Sequence, residues 1–188
     1  VSITIDDIKK ASSIKGTGKT YVTLEQMNDL GWIKIHSGYV VKSTGKESPL
    51  DDMTSEITRK YRDINQTDVD KINALFNKYQ INTKQRIAAF FAECSAETDN
   101  GDRFLEAAGS LDGPVTRTNL NKWFDNNTNY GSKYRGAGAI QLTWDYHYEE
   151  FENWMSTEFG TTDINITNKG AEYVAVNYTW EAAVFYWT

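Results

Sequence analysis

Between Thr67 and Thr98 the apolar residues recur at the spacing of one helix face, twice in succession, and this limits the fold more than any other feature of the chain. Val69, Ile72, Leu75, Phe76 and Tyr79 form the first stripe, with Thr67 as its cap and Asp68 and Asp70 suited to the positive end of the helix dipole. Asn82-Thr83 caps a second helix, in which Ile87, Phe90, Phe91 and Cys94 follow one another on a single face. Both stripes belong to a core, so the chain is predicted to be mainly helical.

The flanking regions add shorter elements. Thr23-Leu-Glu-Gln26 is a capping box, followed by Leu24, Met27 and Leu30 at helical spacing and by Gly31 as a stop. Trp32 to Val41 alternates loosely, as a strand or hairpin would, and the polar stretch from Ser43 to Asp52, with Gly45 and Pro49, has the composition of a linker. Gly101 to Gly138 is rich in Asn, Gly and Thr and is too long for an idle connection, which suggests a functional lobe or long binding loops. Thr143 is expected to cap a helix carrying Tyr148, Phe151, Trp154 and Met155. A last helix is expected from about Gly170, with Ala171, Val174, Ala175, Tyr178, Ala182 and Phe185 on one face. No stop signal follows it at Trp187-Thr188, so the natural chain is expected to continue. The expected organisation is a small N-terminal targeting or docking segment over 1–50 and one main domain over 51–188, helical with a minor β element and long groove-forming loops.

Composition narrows the function. With 20 Lys and Arg against 26 Asp and Glu, the net charge of -6 lacks the basic footprint of a phosphate-backbone binder, and nucleic acid is not expected as a partner. Lys15-Gly-Thr-Gly-Lys-Thr20 looks like a phosphate-binding loop, but Ser13 takes the place of the first glycine and no apolar strand precedes it. One cysteine and two histidines, His36 and His147, offer no recognisable zinc spacing, so neither a metal nor another cofactor is expected. No apolar run approaches the ~18 residues of a membrane span. The aromatic content is 13%, with 6 Trp and 11 Tyr, which suits either a core with ordinary surface tyrosines or a groove that stacks on sugar rings.

Glu97 is the first candidate for chemistry. At 100° per residue it lies at about 280° from Ile87, close to Phe90 at about 300°, so its carboxyl is expected to flank the buried stripe. A carboxyl desolvated by apolar surface can keep its proton near neutral pH and act as a general acid, as glycosidic bond cleavage requires. The competing reading is an ordinary boundary carboxylate paired with a nearby base, and by geometry alone Glu93 is an equal candidate. A second carboxylate is needed across the sugar, and Asp99, Asp102, Glu106 and Asp112 all follow the helix.

The run Ile81-Asn-Thr-Lys-Gln-Arg-Ile-Ala-Ala-Phe-Phe-Ala-Glu-Cys-Ser-Ala-Glu-Thr98, then Tyr134-Arg-Gly-Ala-Gly-Ala-Ile-Gln-Leu-Thr143, then Tyr178-Thr-Trp-Glu-Ala-Ala-Val-Phe-Tyr-Trp187 resembles glycoside hydrolase family nineteen. That family contains the class I chitinases and many phage and bacterial endolysins, and the resemblance covers roughly the last two-thirds of the chain. It implies a lysozyme-like α+β fold, with Glu97 as the acid of the family's His-Glu-Thr signature and Glu106, in Arg103-Phe-Leu-Glu106, as the base. It also implies substrate- or water-contacting roles for Gln141 and Thr143, and a place for Tyr134 in the wall of the sugar groove. Gly136 and Gly138 would let backbone approach the glycan. Two positions depart from the pattern: Ala96 replaces the signature histidine, and His147 stands where the family has a substrate-binding asparagine.

The resemblance implies inverting hydrolysis of the β-1,4 linkages of bacterial peptidoglycan, outside the cell or in the cell wall, after secretion or release during lysis. Chitin oligomers are the alternative substrate. A catalytically reduced wall-binding or toxin-delivery module is the reading from another class, prompted by Ala96 and His147.

Overall fold

The structure, a computed structural model, describes residues 18–32, 34–41, 57–101, 104–106, 132–160 and 162–188. The linker expected over 43–52, together with most of the long 101–138 stretch, lies outside the described residues. In chain order the elements are α1 (Leu24–Asp29), β1 (Lys34–Val41), β2 (Ile57–Asp63), α2 (Gln66–Lys78), α3 (Lys84–Thr98), a 3-10 turn (Ser132–Tyr134), α4 (Asp145–Phe159), α5 (Asn165–Lys169), α6 (Ala171–Asn177) and α7 (Thr179–Trp187). This is a mainly α fold.

Local capping explains the starts of α1, α2 and α3. Thr23 and Gln26 form the expected reciprocal box at α1, and Gly31 follows with φ +80°. Thr83 caps α3 by accepting from the Arg86 N–H. The start of α2 differs from the expectation: Asn65, not Thr67, is the cap, because its side chain and that of Asp68 satisfy each other's backbone N–H groups. The single strand or hairpin expected over 32–41 is one strand, β1, antiparallel to β2, with register from Lys34 opposite Asp63 to Val41 opposite Ile57. The final helix is broken at Tyr178 into α6 and α7.

Both sequence-derived stripes are buried, and they meet in one aromatic cluster. Trp32 lies 5.6 Å from Trp180, 5.8 Å from Phe91 and 5.9 Å from Phe104, while Phe76 and Phe90 meet edge to face at 5.1 Å. Val22 and Met27 belong to the same cluster as Ile72, Phe76, Phe91 and Val184. The division at 50/51 therefore does not follow the packing: α1 and Trp32 are part of the same core as the helices that follow, since an isolated 6-residue helix has no apolar partner of its own. A second cluster joins Leu105, Leu142, Tyr148, Phe151, Val174 and Ala182. Helix α7 contributes to both, through Trp180, Ala183 and Val184 on one side and Ala182 on the other.

Two buried carboxylates in the helical layer are held by partners from other elements. Glu181, on α7, is 2% exposed and receives the Lys71 ammonium of α2 at 2.8 Å. Lys71 also donates to the Asn177 carbonyl at the end of α6. Asp163, just before α5, accepts from the Tyr173 and Tyr178 hydroxyls at 2.7 Å each and from the Asn165 backbone and side chain. Burial alone would raise the Asp163 carboxyl, but these donors outweigh it and hold the group below the ordinary carboxylate range.

Because the folded-state value is depressed, the stabilisation from Asp163 is complete above the unfolded-state value of about 4 and fades as pH falls through the folded one. Asp163→Asn would turn one acceptor into a donor facing two phenols. It is expected to cost about 2 kcal/mol in urea unfolding at pH 7, with the difference from wild type shrinking in the acid limb below about pH 4.

Candidate functional site

The site is built around a tight turn between the 3-10 segment and α4. Residues 104–106, 136–138 and 142 form a miniature ladder, with bridges from Leu105 to Ala137 and from Ala137 to Leu142. Glu106 N–H donates to the Gly136 carbonyl at 2.8 Å, Gly138 N–H to the Phe104 carbonyl at 2.8 Å, and Leu142 N–H to the Ala137 carbonyl at 2.7 Å. The ladder rests on α7, where Ala139 N–H donates to the Thr179 carbonyl at 2.9 Å. Gly138 has φ +76°, and a Cβ there would sit 3.1 Å from the Thr179 oxygen and 3.3 Å from the Ala182 methyl. The positive φ and the closeness of α7 both favour glycine here.

The ladder brings Glu106 to the Tyr134–Thr143 segment. The Glu106 Oε2 accepts from the Gly136 N–H at 2.8 Å, and its carbonyl accepts from the Nε of Arg135, a buried guanidinium that also pairs with Glu172 at 3.1 Å. Gln141 and Thr143 are half-buried and serve the turn itself: Gln141 Nε2 donates to the Gly138 carbonyl, and Thr143 Oγ1 to the Gln141 carbonyl at 2.7 Å. Thr143 is not the cap of α4, since its hydroxyl is turned back into the turn. Tyr134 stands apart from the exposed face: its ring packs 5.4 Å from Tyr148 and its hydroxyl reaches the Thr167 carbonyl.

The residue at the start of α4 is Trp144, which has φ +76° and makes no side-chain cap bond. A bulky residue in this backbone region is strained by roughly 1–3 kcal/mol, and Trp offers no capping oxygen in return. The result is an aromatic surface. Trp144 is 42% exposed and Tyr146 46%, with their rings 6.5 Å apart and nearly parallel at 14°. His147 follows, 4.3 Å from the Tyr146 ring and 5.7 Å from Tyr186 of α7, itself 46% exposed.

His147 Nδ1 lies 2.9 Å from the Thr143 carbonyl and 3.0 Å from the Tyr186 hydroxyl. A carbonyl only accepts, so Nδ1 carries a proton, which leaves Nε2 as the ring nitrogen open to another partner. Burial pushes the Tyr186 phenol up to about 12, helped by Tyr146 and by the charges of Glu150 and Glu97. Glu97 lies at the end of α3, whose Phe90 ring meets Trp187 of α7 at 6.0 Å.

Glu97 itself departs from the sequence expectation. The side chain is exposed, and among the described residues it makes no hydrogen bond or ion pair. Thr98 and Cys94, its neighbours on the helix, take the buried face: Thr98 donates to the Cys94 carbonyl, and burial pushes the Cys94 thiol up to about 12. An angle of about 20° from Phe90, on the side away from Cys94, was enough to leave the carboxyl in solvent. Glu93 is exposed as well.

Sequence reasoning missed Trp144, Tyr146 and Tyr186. A signal for the first was present: an aromatic residue where a helix start calls for Ser, Thr, Asn or Asp is a local conflict of the kind that marks functional positions. Among the described residues, no group of three or more His, Cys, Asp or Glu side chains is placed to hold a metal ion, and no helix is long and apolar enough to cross a membrane.

If Trp144 is strained for the sake of its exposed ring, glycine should be tolerated there better than alanine. Trp144→Gly is expected to be about 1 kcal/mol more stable than Trp144→Ala in thermal unfolding, since glycine enters the positive-φ region without a Cβ penalty.

Searches against protein-family models, curated proteins and solved structures found no match to this chain.

Proposed function

We propose that the chain is a glycoside hydrolase that lays a β-1,4-linked hexosamine glycan across the Trp144–Tyr146 surface and cleaves it with Glu97 as general acid. Peptidoglycan is the leading substrate and chitin oligomers the alternative, because the two share the N-acetylglucosamine unit. The observation that carries the reading is the meeting of an exposed aromatic pair with an oriented imidazole beside α7, the helix whose Trp187 ring packs on Phe90 of the helix that carries Glu97. Aromatic faces stack on the C–H faces of sugar rings, and His147 Nε2 offers a hydrogen-bond partner to a sugar hydroxyl.

In the inverting route, the Glu97 proton passes to the leaving glycosidic oxygen as the bond to the anomeric carbon breaks. Water attacks that carbon from the other side and gives its proton to Glu106, with the two carboxyl groups about 6.5–9.5 Å apart when engaged. Glu97 begins solvated, so the exclusion of water needed to favour its protonated form has to come from the bound sugar. The Gly136 N–H gives Glu106 a fixed orientation.

A second reading, a wall-binding module with little or no turnover, is favoured by the exposure of Glu97. One experiment separates them. Wild type and Glu97→Gln are incubated with purified cell walls and with chitin oligomers, and both reducing ends and co-sedimented protein are measured. The hydrolase reading expects Glu97→Gln to lose roughly two to four orders of magnitude of turnover while still sedimenting with wall. Full activity of the variant would end the role of Glu97. Sedimentation of wild type with no release of reducing ends from either glycan would favour the module.

A further inference from the structure

Glu106 is held at three points by one short stretch of the turn. Its N–H donates to the Gly136 carbonyl at 2.8 Å, its carbonyl accepts from the Arg135 Nε at 3.0 Å, and its Oε2 accepts from the Gly136 N–H at 2.8 Å. The last donor belongs to the peptide group between Arg135 and Gly136, whose other end is also engaged. There the Arg135 carbonyl accepts from the hydroxyl of the fully buried Tyr148 at 2.7 Å. One planar peptide thus joins a buried phenol to the carboxylate, and the bond at its carbonyl strengthens the bond at its N–H. The guanidinium of Arg135 is 4% exposed and lies 3.1 Å from Glu172 at the start of α6. A buried cation tied in this way does not drift, because leaving its acceptors strands a desolvated charge.

We propose that Arg135 is a positioning residue for the carboxylate of Glu106: its guanidinium clamps the Glu106 backbone and sets the plane of the Arg135–Gly136 peptide, whose N–H then aims the carboxyl oxygen. The inference rests on the hydrolase reading above, in which Glu106 takes the proton of the attacking water, and adds the residue that keeps this base in place. A base displaced by about 1 Å can lose about a hundredfold in rate. In this role Arg135 touches no reacting atom and acts through Glu106 alone.

Two readouts on the full chain test it. In amide NMR the Gly136 N–H resonance reports the bond to Glu106, and its position in Glu106→Gln marks the loss of the charged acceptor. Arg135→Lys keeps the charge but not the planar fork, and is expected to move that resonance most of the way to the same position. Tyr148→Phe, which keeps the ring and removes the hydroxyl, is expected to move it in the same direction, and replaces Arg135→Lys in both readouts if the latter does not fold. The Gly138 N–H, which donates to Phe104 in the same ladder, should keep its position. In turnover of soluble N-acetylglucosamine oligomers and soluble peptidoglycan strands, Arg135→Lys should lower kcat about tenfold or more and leave KM within about twofold of wild type.

An unmoved Gly136 resonance in both variants would overturn the positioning role, whether or not glycan is cleaved. So would an unchanged kcat in a variant whose Gly136 resonance has moved. A Gly138 resonance displaced together with that of Gly136 would reduce Arg135 to a support of the whole ladder and overturn the inference while the hydrolase reading stands. Absence of turnover by wild type on both glycans would overturn the hydrolase reading and, with it, the catalytic use of the clamp, even with the resonances moving as expected.

Discussion

At Gly138 the turn that carries the site packs so closely on the start of α7 that a Cβ there would stand 3.1 Å from the Thr179 oxygen. The rest of the site depends on this approach. It lets Ala139 donate to the Thr179 carbonyl, which locks the 104–106, 136–138 and 142 ladder onto α7. The same helix delivers Tyr186 to His147 seven residues further on, about two turns along the axis. The ring of His147 is therefore held between two ends of one rigid unit, with the Thr143 carbonyl fixing its proton and the Tyr186 hydroxyl sharing it.

Helix α7 can play this part because it is buried on both sides. Its Trp180 and Val184 enter one apolar cluster and Ala182 the other. An interior helix carrying a carboxylate would be costly without a counter-charge, and Lys71 supplies one at 2.8 Å, tying α2 to α7. Asp163 does similar work for the segment before α5, where one carboxylate gathers two tyrosines and an asparagine. In both cases a buried anion fixes the relative position of elements that hydrophobic contact alone would leave free to slide.

Much of the helical framework could be read from residue spacing. The stripes of α2 and α3, the box at Thr23 and the cap at Thr83 are local signals, and local physics decided them. The elements that sequence missed were decided by distant partners. β2 carried no clear alternation of its own and exists by pairing with β1, and Asn65 displaced Thr67 because Asp68 could answer it. The site divided in the same way. His147 and Glu106 stand in built surroundings, whereas the burial expected for Glu97 rested on a helical angle that places a side chain near a boundary without saying on which side. Trp144 and Tyr146 were overlooked because exposed aromatics are indistinguishable in sequence from core ones until the helix that presents them is oriented.

Cys94 is the single thiol of the chain, sealed beneath α3 with its proton held firmly. A thiolate is the reactive form, so reagents in solvent meet an unreactive sulfur for as long as α3 stays seated. The chain thereby carries an internal clock for its own opening: the rate at which an alkylating agent modifies it counts the excursions in which the helix bearing Glu97 lifts from the aromatic cluster. Cys94 is thus the residue that reports how often the scaffold beneath the aromatic surface comes apart.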